Sequence, residues 1–245
     1  MPGPLDNPLS VTLNAGDPAA FAAALGAQFE RYGFATVKDH GIPDAVIDPA
    51  LADMKAFFGL PNAVKRAYHQ PGGGGQRGLT PFGIETAKGA TKSDLKEFWH
   101  TGRELPDGHR LTMQMPPNLW PAEVPGFRES VYGLYDALDG LGLRILRGIA
   151  RHLQLPSDFF DASVHLGNSV LRLLHYPPLT APTGQVRAGA HEDINVITVL
   201  LGAEEAGLEV QERDGNWLPI NPPPGSAVVN IGDMLERHTN DVLPS

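Results

Sequence analysis

The chain contains no cysteine. Disulfides, thiolate metal sites and cysteine nucleophiles are therefore excluded, and any metal must be held by nitrogen and oxygen ligands. Basic charge is scarce too: 19 Lys and Arg stand against 28 Asp and Glu, a formal net charge of −9. This balance offers no basic footprint for a phosphate backbone, so small molecules rather than nucleic acids are the expected partners. No apolar run approaches the roughly 20 residues that span a bilayer. The opening Met-Pro-Gly-Pro-Leu-Asp-Asn has no basic region followed by an apolar core. A cytoplasmic protein with no membrane partner is expected. With 42% hydrophobic residues in 245, the material for a packed core is ample.

Helical signals dominate the first part of the chain. Asp17-Pro18 pairs a capping side chain with proline at the first helical position, and Phe21, Leu25, Phe29 and Tyr32 recur on one face until Gly33. A strand over Phe34–Val37 and a turn at His40-Gly41-Ile42-Pro43 lead to a second helix, Asp44–Phe58, closed by Gly59-Leu60-Pro61. His40 reads as a turn residue rather than a metal ligand. The glycine run Gly72–Gly75 is not followed by Gly-Lys-Ser/Thr, so it is a loop and not a phosphate cradle. It opens an irregular stretch reaching about Pro125, whose mixed aromatic and charged part from Arg77 to Trp99 is expected to form a substrate wall.

From Phe127 the apolar residues Val131, Leu134, Leu138, Leu141, Ile145, Ile149 and Leu153 form a stripe at three and four spacing up to Pro156. A helix of this length runs roughly 40 Å and can support whatever packs on it. A short helical turn follows near Phe159-Phe160. Strands then take over, at Val170–Tyr176, Ile194–Leu201, Leu208–Gln211, Trp217–Ile220 and Ala227–Ile231, with turns at Asp214-Gly215 and Pro222–Gly225. Helices followed by closely spaced antiparallel strands predict an α+β protein with a mainly β core: a double-stranded β-helix, or jelly roll, with a helical layer outside. One domain is expected over 1–245, made of an N-terminal helical and loop part (1–125), a long backbone helix (126–160) and a jelly-roll core (165–245).

The chemistry points to Ala188–Leu201, an apolar, β-branched run that opens on His191 and Asp193. In an extended strand these two side chains project to one face while Glu192 points away. An imidazole and a carboxylate so placed, joined by a second imidazole, make the facial triad that holds non-haem Fe(II) with open positions. The tripeptide alone is weak evidence. With nine histidines in the chain, a His-x-Asp match arises by chance in about half of such sequences.

The surrounding order of motifs is more specific. Tyr32-Gly-Phe-Ala-Thr-Val-Lys-Asp-His-Gly-Ile-Pro43, Phe57-Phe-Gly-Leu-Pro61, Gln76-Arg-Gly-Leu-Thr-Pro-Phe-Gly83, Leu171-Arg-Leu-Leu-His-Tyr-Pro-Pro178, His191-Glu-Asp-Ile-Asn-Val-Ile-Thr-Val-Leu200 and Val229-Asn-Ile-Gly-Asp233 follow one another across about 200 residues. Together they resemble the isopenicillin N synthase-like branch of the Fe(II)/2-oxoglutarate-dependent oxygenases. The resemblance implies Fe(II) and 2-oxoglutarate as cofactors, O2 as co-substrate, and hydroxylation, desaturation or ring closure of a small molecule. It implies His191 and Asp193 as metal ligands and Tyr176 as a cofactor-binding residue, its phenol reaching a carboxylate in the pocket. A buried tyrosine with a structural partner is the alternative. Arg77 matches the neighbourhood of an arginine that grips a substrate carboxylate, a task suited to a bidentate guanidinium. Leu174 replaces an asparagine that plant members carry two residues before the tyrosine.

The resemblance places a second metal histidine, and an Arg-x-Ser that anchors 2-oxoglutarate, past Ser245, together with the final strands of the jelly roll. Two of three iron ligands can thus be named, and a site of one His and one Asp is expected to hold Fe(II) weakly. His238 precedes the Thr239-Asn240 turn and is a poor substitute. An Fe(II) oxidase that does not use 2-oxoglutarate, and a non-catalytic jelly-roll protein that binds a small molecule, are the competing readings.

Overall fold

A computed structural model of the protein describes residues 10–13, 16–73, 75–86, 92–178, 187–202, 207–212 and 215–245. A short strand β1 (Ser10–Thr12) precedes helix α1 (Pro18–Tyr32), which starts and stops where its chemistry dictates. Asp17 stays extended and its Oδ1 accepts the backbone N–H groups of Ala19 and Ala20, at 2.9 and 3.2 Å. Gly33 ends the helix in the left-handed conformation (φ 69°) that side chains resist. The apolar face of α1 buries Phe21, Leu25 and Phe29.

Strand β2 (Phe34–Lys38) and helix α2 (Asp44–Phe58) follow as expected, and α3 (Asn62–Arg66) adds a short turn of helix. The long helix α4 spans Phe127–His152 and buries Val131, Leu134, Leu141, Ile145 and Ile149 of the predicted stripe. After it come α5 (Asp161–Val164) and β5 (Val170–His175). The later strands are β6 (Ile197–Leu200), β7 (Leu208–Gln211), β8 (Trp217–Ile220) and β9 (Ala227–Ile231), with α6 (Asp233–His238) behind them. Strands β7 and β8 pair antiparallel, Gln211 opposite Trp217. Asp214 of the predicted turn between them lies outside the described residues, as does Gly74 of the glycine run.

One expectation is overturned between Gly72 and Pro125. That stretch is not a continuous loop: it contains β3 (Gly78–Thr80) and β4 (Glu97–Gly102), and β4 is the central strand of a three-stranded sheet ordered β3-β4-β5. Both faces of β4 are covered, so the polar–apolar alternation that marks a half-exposed strand is missing. Trp99 is fully buried, against Phe57 at 4.7 Å and Phe127 at 5.3 Å between ring centroids, and is core rather than pocket wall.

Two compact units emerge, each assembled from separated parts of the chain. One comprises the chain up to Gly41 with Gly140–Val164 and Glu192–Ser245; it carries the sheet ordered β1-β2-β9-β6 and the β7-β8 pair. The other comprises Ile42–Asp139 and His165–His191 and carries β3-β4-β5 over a core of Phe57, Phe58, Leu79, Trp99, Phe127, Val131 and Leu173. Helix α4 supplies residues to both. Among the described residues no helix is long and apolar enough to cross a membrane.

Candidate active site

Asp193 precedes β6 and does not lie within it. A backbone hydrogen bond from Asn195 to the Asp193 carbonyl (2.9 Å) bends the chain, and ladder pairing starts only at Ile197, opposite Ile231. His191 and Asp193 are therefore not placed by strand alternation, which corrects that part of the sequence reading. Asp193 is placed by side chains instead. Its Oδ2 accepts from Thr198 Oγ1 (2.5 Å) and Asn230 Nδ2 (2.9 Å), and Asn195 Nδ2 donates to the same Thr198 oxygen at 2.8 Å. Thr198 and Asn230 are direct partners in the β6–β9 register. A cross-strand pair thus orients one carboxylate oxygen.

His191 ends the second unit, in an exposed position. Its Nδ1 lies 2.7 Å from the Gly189 carbonyl. A carbonyl only accepts, so Nδ1 is the donor, and in the neutral ring the lone pair is then on Nε2. That tautomer is the one in which a histidine offers Nε2 to a divalent cation.

The face of the β3-β4-β5 sheet opposite Trp99 carries a polar network that the sequence reading did not single out. Lys96 Nζ contacts Glu85 Oε2 at 2.7 Å and Asp94 Oδ2 at 2.9 Å, and Arg172 Nη1 reaches Glu85 Oε1 at 3.2 Å. Burial works against the Lys96 charge, but the bonds to Glu85 and Asp94 outweigh it and its pKa rises. Arg172 lies over the Phe98 ring, 4.3 Å from its centroid, and its Nε donates to His100 Nε2 at 2.7 Å. The other His100 nitrogen, Nδ1, donates to the Gly75 carbonyl. Burial first, and the Arg172 charge second, push the His100 pKa down to about 4, so the imidazole is neutral.

Tyr176 follows β5 and is half-buried, and burial raises its pKa. Its phenol therefore keeps its proton near neutral pH and can donate to a carboxylate. Arg77 is 2% exposed and does not sit on an open loop. Its Nε donates to Pro116 O (3.1 Å) and Nη1 to Gln76 O (2.7 Å), so the bidentate grip expected of it is already occupied by carbonyls. Only Nη2 has no partner. His40 is buried in its turn, where its carbonyl accepts from Arg144 Nη2 at 2.6 Å. His238 is exposed on α6.

An imidazole and a carboxylate are donor types that Fe(II) accepts, so the chemistry of each residue, taken by itself, fits that metal. Among the described residues, no group of three His, Asp or Glu could hold a metal.

A family model described as the N-terminal part of non-haem dioxygenases in morphine synthesis matches residues 8–123, and the 2OG-Fe(II) oxygenase superfamily model matches residues 167–245. The proline hydroxylase buaE of Petromyces alliaceus is 37% identical over 243 residues, covering 94% of this chain and 74% of that protein. The chain belongs to the 2OG-Fe(II) oxygenase superfamily. It is an Fe(II)- and 2-oxoglutarate-dependent dioxygenase acting on a small molecule. The 2-oxoglutarate-dependent dioxygenase htyE of Aspergillus rugulosus is 32% identical over 92% of this oxygenase and 72% of its own length. Among solved structures, a 2OG-Fe(II) oxygenase family protein from Caulobacter crescentus superposes with a TM-score of 0.89 at 58% identity, covering 96% of this chain and 77% of that one. A Neurospora crassa protein solved in complex with alpha-KG and thymine superposes with a TM-score of 0.84 at 29% identity, covering 98% of this chain and 79% of that one.

Proposed function

We propose that His191 and Asp193 supply the first imidazole and the carboxylate to Fe(II) in this oxygenase, that Tyr176 donates to a cofactor or substrate carboxylate, and that Arg77 contributes through Nη2 alone. The observation that carries the assignment is the grip of Thr198 and Asn230 on one Asp193 oxygen. A surface aspartate at a bend has no need of two side-chain donors brought into register on neighbouring strands. The superposition with the Caulobacter protein supports a jelly-roll core.

Iron and 2-oxoglutarate, when bound, supply the O2 activation and the decarboxylation that yields succinate and CO2. The protein's own residues do the positioning. Thr198 and Asn230 hold the Asp193 carboxylate in a single orientation, so it need not reorganise when a cation arrives. The Gly189 carbonyl holds His191 in the tautomer with its lone pair on Nε2. The protonated Tyr176 phenol can give a directional hydrogen bond to a carboxylate where a phenolate would repel it. Glu85 and Arg172, the less buried members of the network around Lys96, offer an acceptor and a donor to a small polar substrate.

The test is succinate release from 2-oxoglutarate under O2 with added Fe(II), screened against small molecules. O2-dependent succinate formation that Asp193→Ala and His191→Ala abolish is the expected result. Product formation and O2 consumption without loss of 2-oxoglutarate would instead select the oxidase reading. Unchanged succinate release in both variants would refute the ligand assignment.

A further inference from the structure

Resting on the reading of His191 as an iron ligand, we infer that Asp94, clamped by Lys96, is a positioning residue that sets the tautomer and orientation of His191 through Gly189. Four contacts in one unit form the path. Lys96 Nζ meets Asp94 Oδ2 at 2.9 Å; Asp94 Oδ1 accepts the Gly189 N–H at 3.1 Å; the Gly189 carbonyl accepts His191 Nδ1–H at 2.7 Å; and Glu85 holds Lys96 from another side at 2.7 Å. Gly189 is thereby tied by its N–H to the sheet and by its C=O to the histidine.

The burial of the charged pair makes a mere stability role a weak explanation. Asp94 and Lys96 are each 4% exposed, although both belong to residue types that are rarely buried. A buried ion pair of this kind adds little net stability over an apolar replacement, because desolvation offsets the attraction. What it does supply is a carboxylate whose two oxygens are both committed, one to Lys96 and one to a backbone N–H, so its geometry is single-valued. Charge also strengthens the bond to Gly189, since an ionised acceptor binds an N–H more tightly than a neutral one. The chain between β5 and β6 reaches the exposed His191 without regular secondary structure at residues 187–191. A ligand carried on such a segment needs an external anchor, and Asp94 provides it from the entry to β4.

A readout independent of turnover decides the matter. In metal-free, 15N-labelled protein, long-range 1H–15N correlation spectra report which His191 nitrogen carries the proton; Co(II) titration reports metal affinity in the same samples. Wild type should show the Nδ1–H tautomer. Asp94→Ala should shift His191 toward Nε2–H and weaken Co(II) binding about 10- to 100-fold. Asp94→Asn, which keeps an oxygen for Gly189 but loses the charge, should fall between the two. A folded Asp94→Ala protein with the wild-type tautomer and Co(II) affinity overturns the inference. Where the alanine variant fails to fold, the asparagine variant decides: a Gly189 amide that exchanges several-fold faster supports the inference, and wild-type exchange and tautomer overturn it. Absence of Co(II) uptake by wild type, with the tautomer still following Asp94, overturns the ligand reading instead.

Discussion

Acidification should weaken this fold through His100. In the folded chain the imidazole is neutral, with Nδ1 donating to the Gly75 carbonyl and Nε2 accepting from Arg172 Nε at 2.7 Å. Protonation would remove the acceptor and set an imidazolium against a guanidinium. The unfolded chain takes up this proton near 6.5, whereas the folded chain takes it up only near 4. Between those values the unfolded state binds more protons, so stability from this residue is complete above about pH 6.5 and is lost as pH falls toward 4. The loss amounts to roughly 2 kcal/mol at pH 5 and roughly 3 kcal/mol at pH 4. Urea denaturation of wild type and His100→Gln at a series of pH values isolates the contribution, because glutamine retains a donor and an acceptor but does not titrate. The gap between the two stability curves should narrow by about 2 kcal/mol from pH 7 to pH 5. Parallel curves across that range would show that His100 is not held neutral by Arg172 and burial, and the reasoning would fail.

Other perturbations test other parts of the structure. A methyl group at position 102 would lie 2.0 Å from Arg77 Cζ, so Gly102→Ala should cost at least about 1–3 kcal/mol in chemical denaturation, with Arg77→Met in the same chain relieving part of it. Lys65 Nζ and His175 Nδ1 both meet Glu97 Oε1, at 2.5 and 2.9 Å, in nearly full burial of the Lys–Glu pair. Lys65→Met should therefore cost about 3–5 kcal/mol, and adding Glu97→Gln should recover most of it in the same assay. Thr198→Val and Asn230→Ala each free Asp193 Oδ2 from one donor; calorimetric Co(II) titration should show about 10-fold weaker binding for each, while thermal melts shift little.

Much of this architecture can be read from the residues because the deciding interactions are local. Asp17-Pro18 and Gly33 bound α1 at both ends, and the apolar stripe from Val131 to Ile149 finds α4. Strands β7, β8 and β9 coincide with their predicted spans because each is short and flanked by glycine or proline. Strands β3 and β4 escape detection for a physical reason. Lys96 and Glu97, where the chain enters β4, are both buried, Lys96 against Asp94 and Glu85 and Glu97 against the distant Lys65, so the usual alternation is absent. The candidate site is legible only in part. His191 and Asp193 stand out by residue type and by the motifs around them, but the strand geometry assumed for them begins only at Ile197. Thr198 and Asn230, 37 residues from Asp193 in the latter case, join the site through β6–β9 pairing, which no local pattern reveals. Arg77 looks like a loop residue in sequence because the backbone carbonyls and the glycine that enclose it come from Gln76, Pro116 and Gly102.

The proposed Fe(II) ligands His191 and Asp193 can be tested together with 2-oxoglutarate binding. Anaerobic titration with Fe(II), with and without 2-oxoglutarate, followed by visible absorption, addresses both most directly. Saturable binding is expected, with a charge-transfer band that appears only with 2-oxoglutarate and is lost in His191→Ala and in Asp193→Ala. No saturable binding, or a band that survives both substitutions, would contradict the proposal.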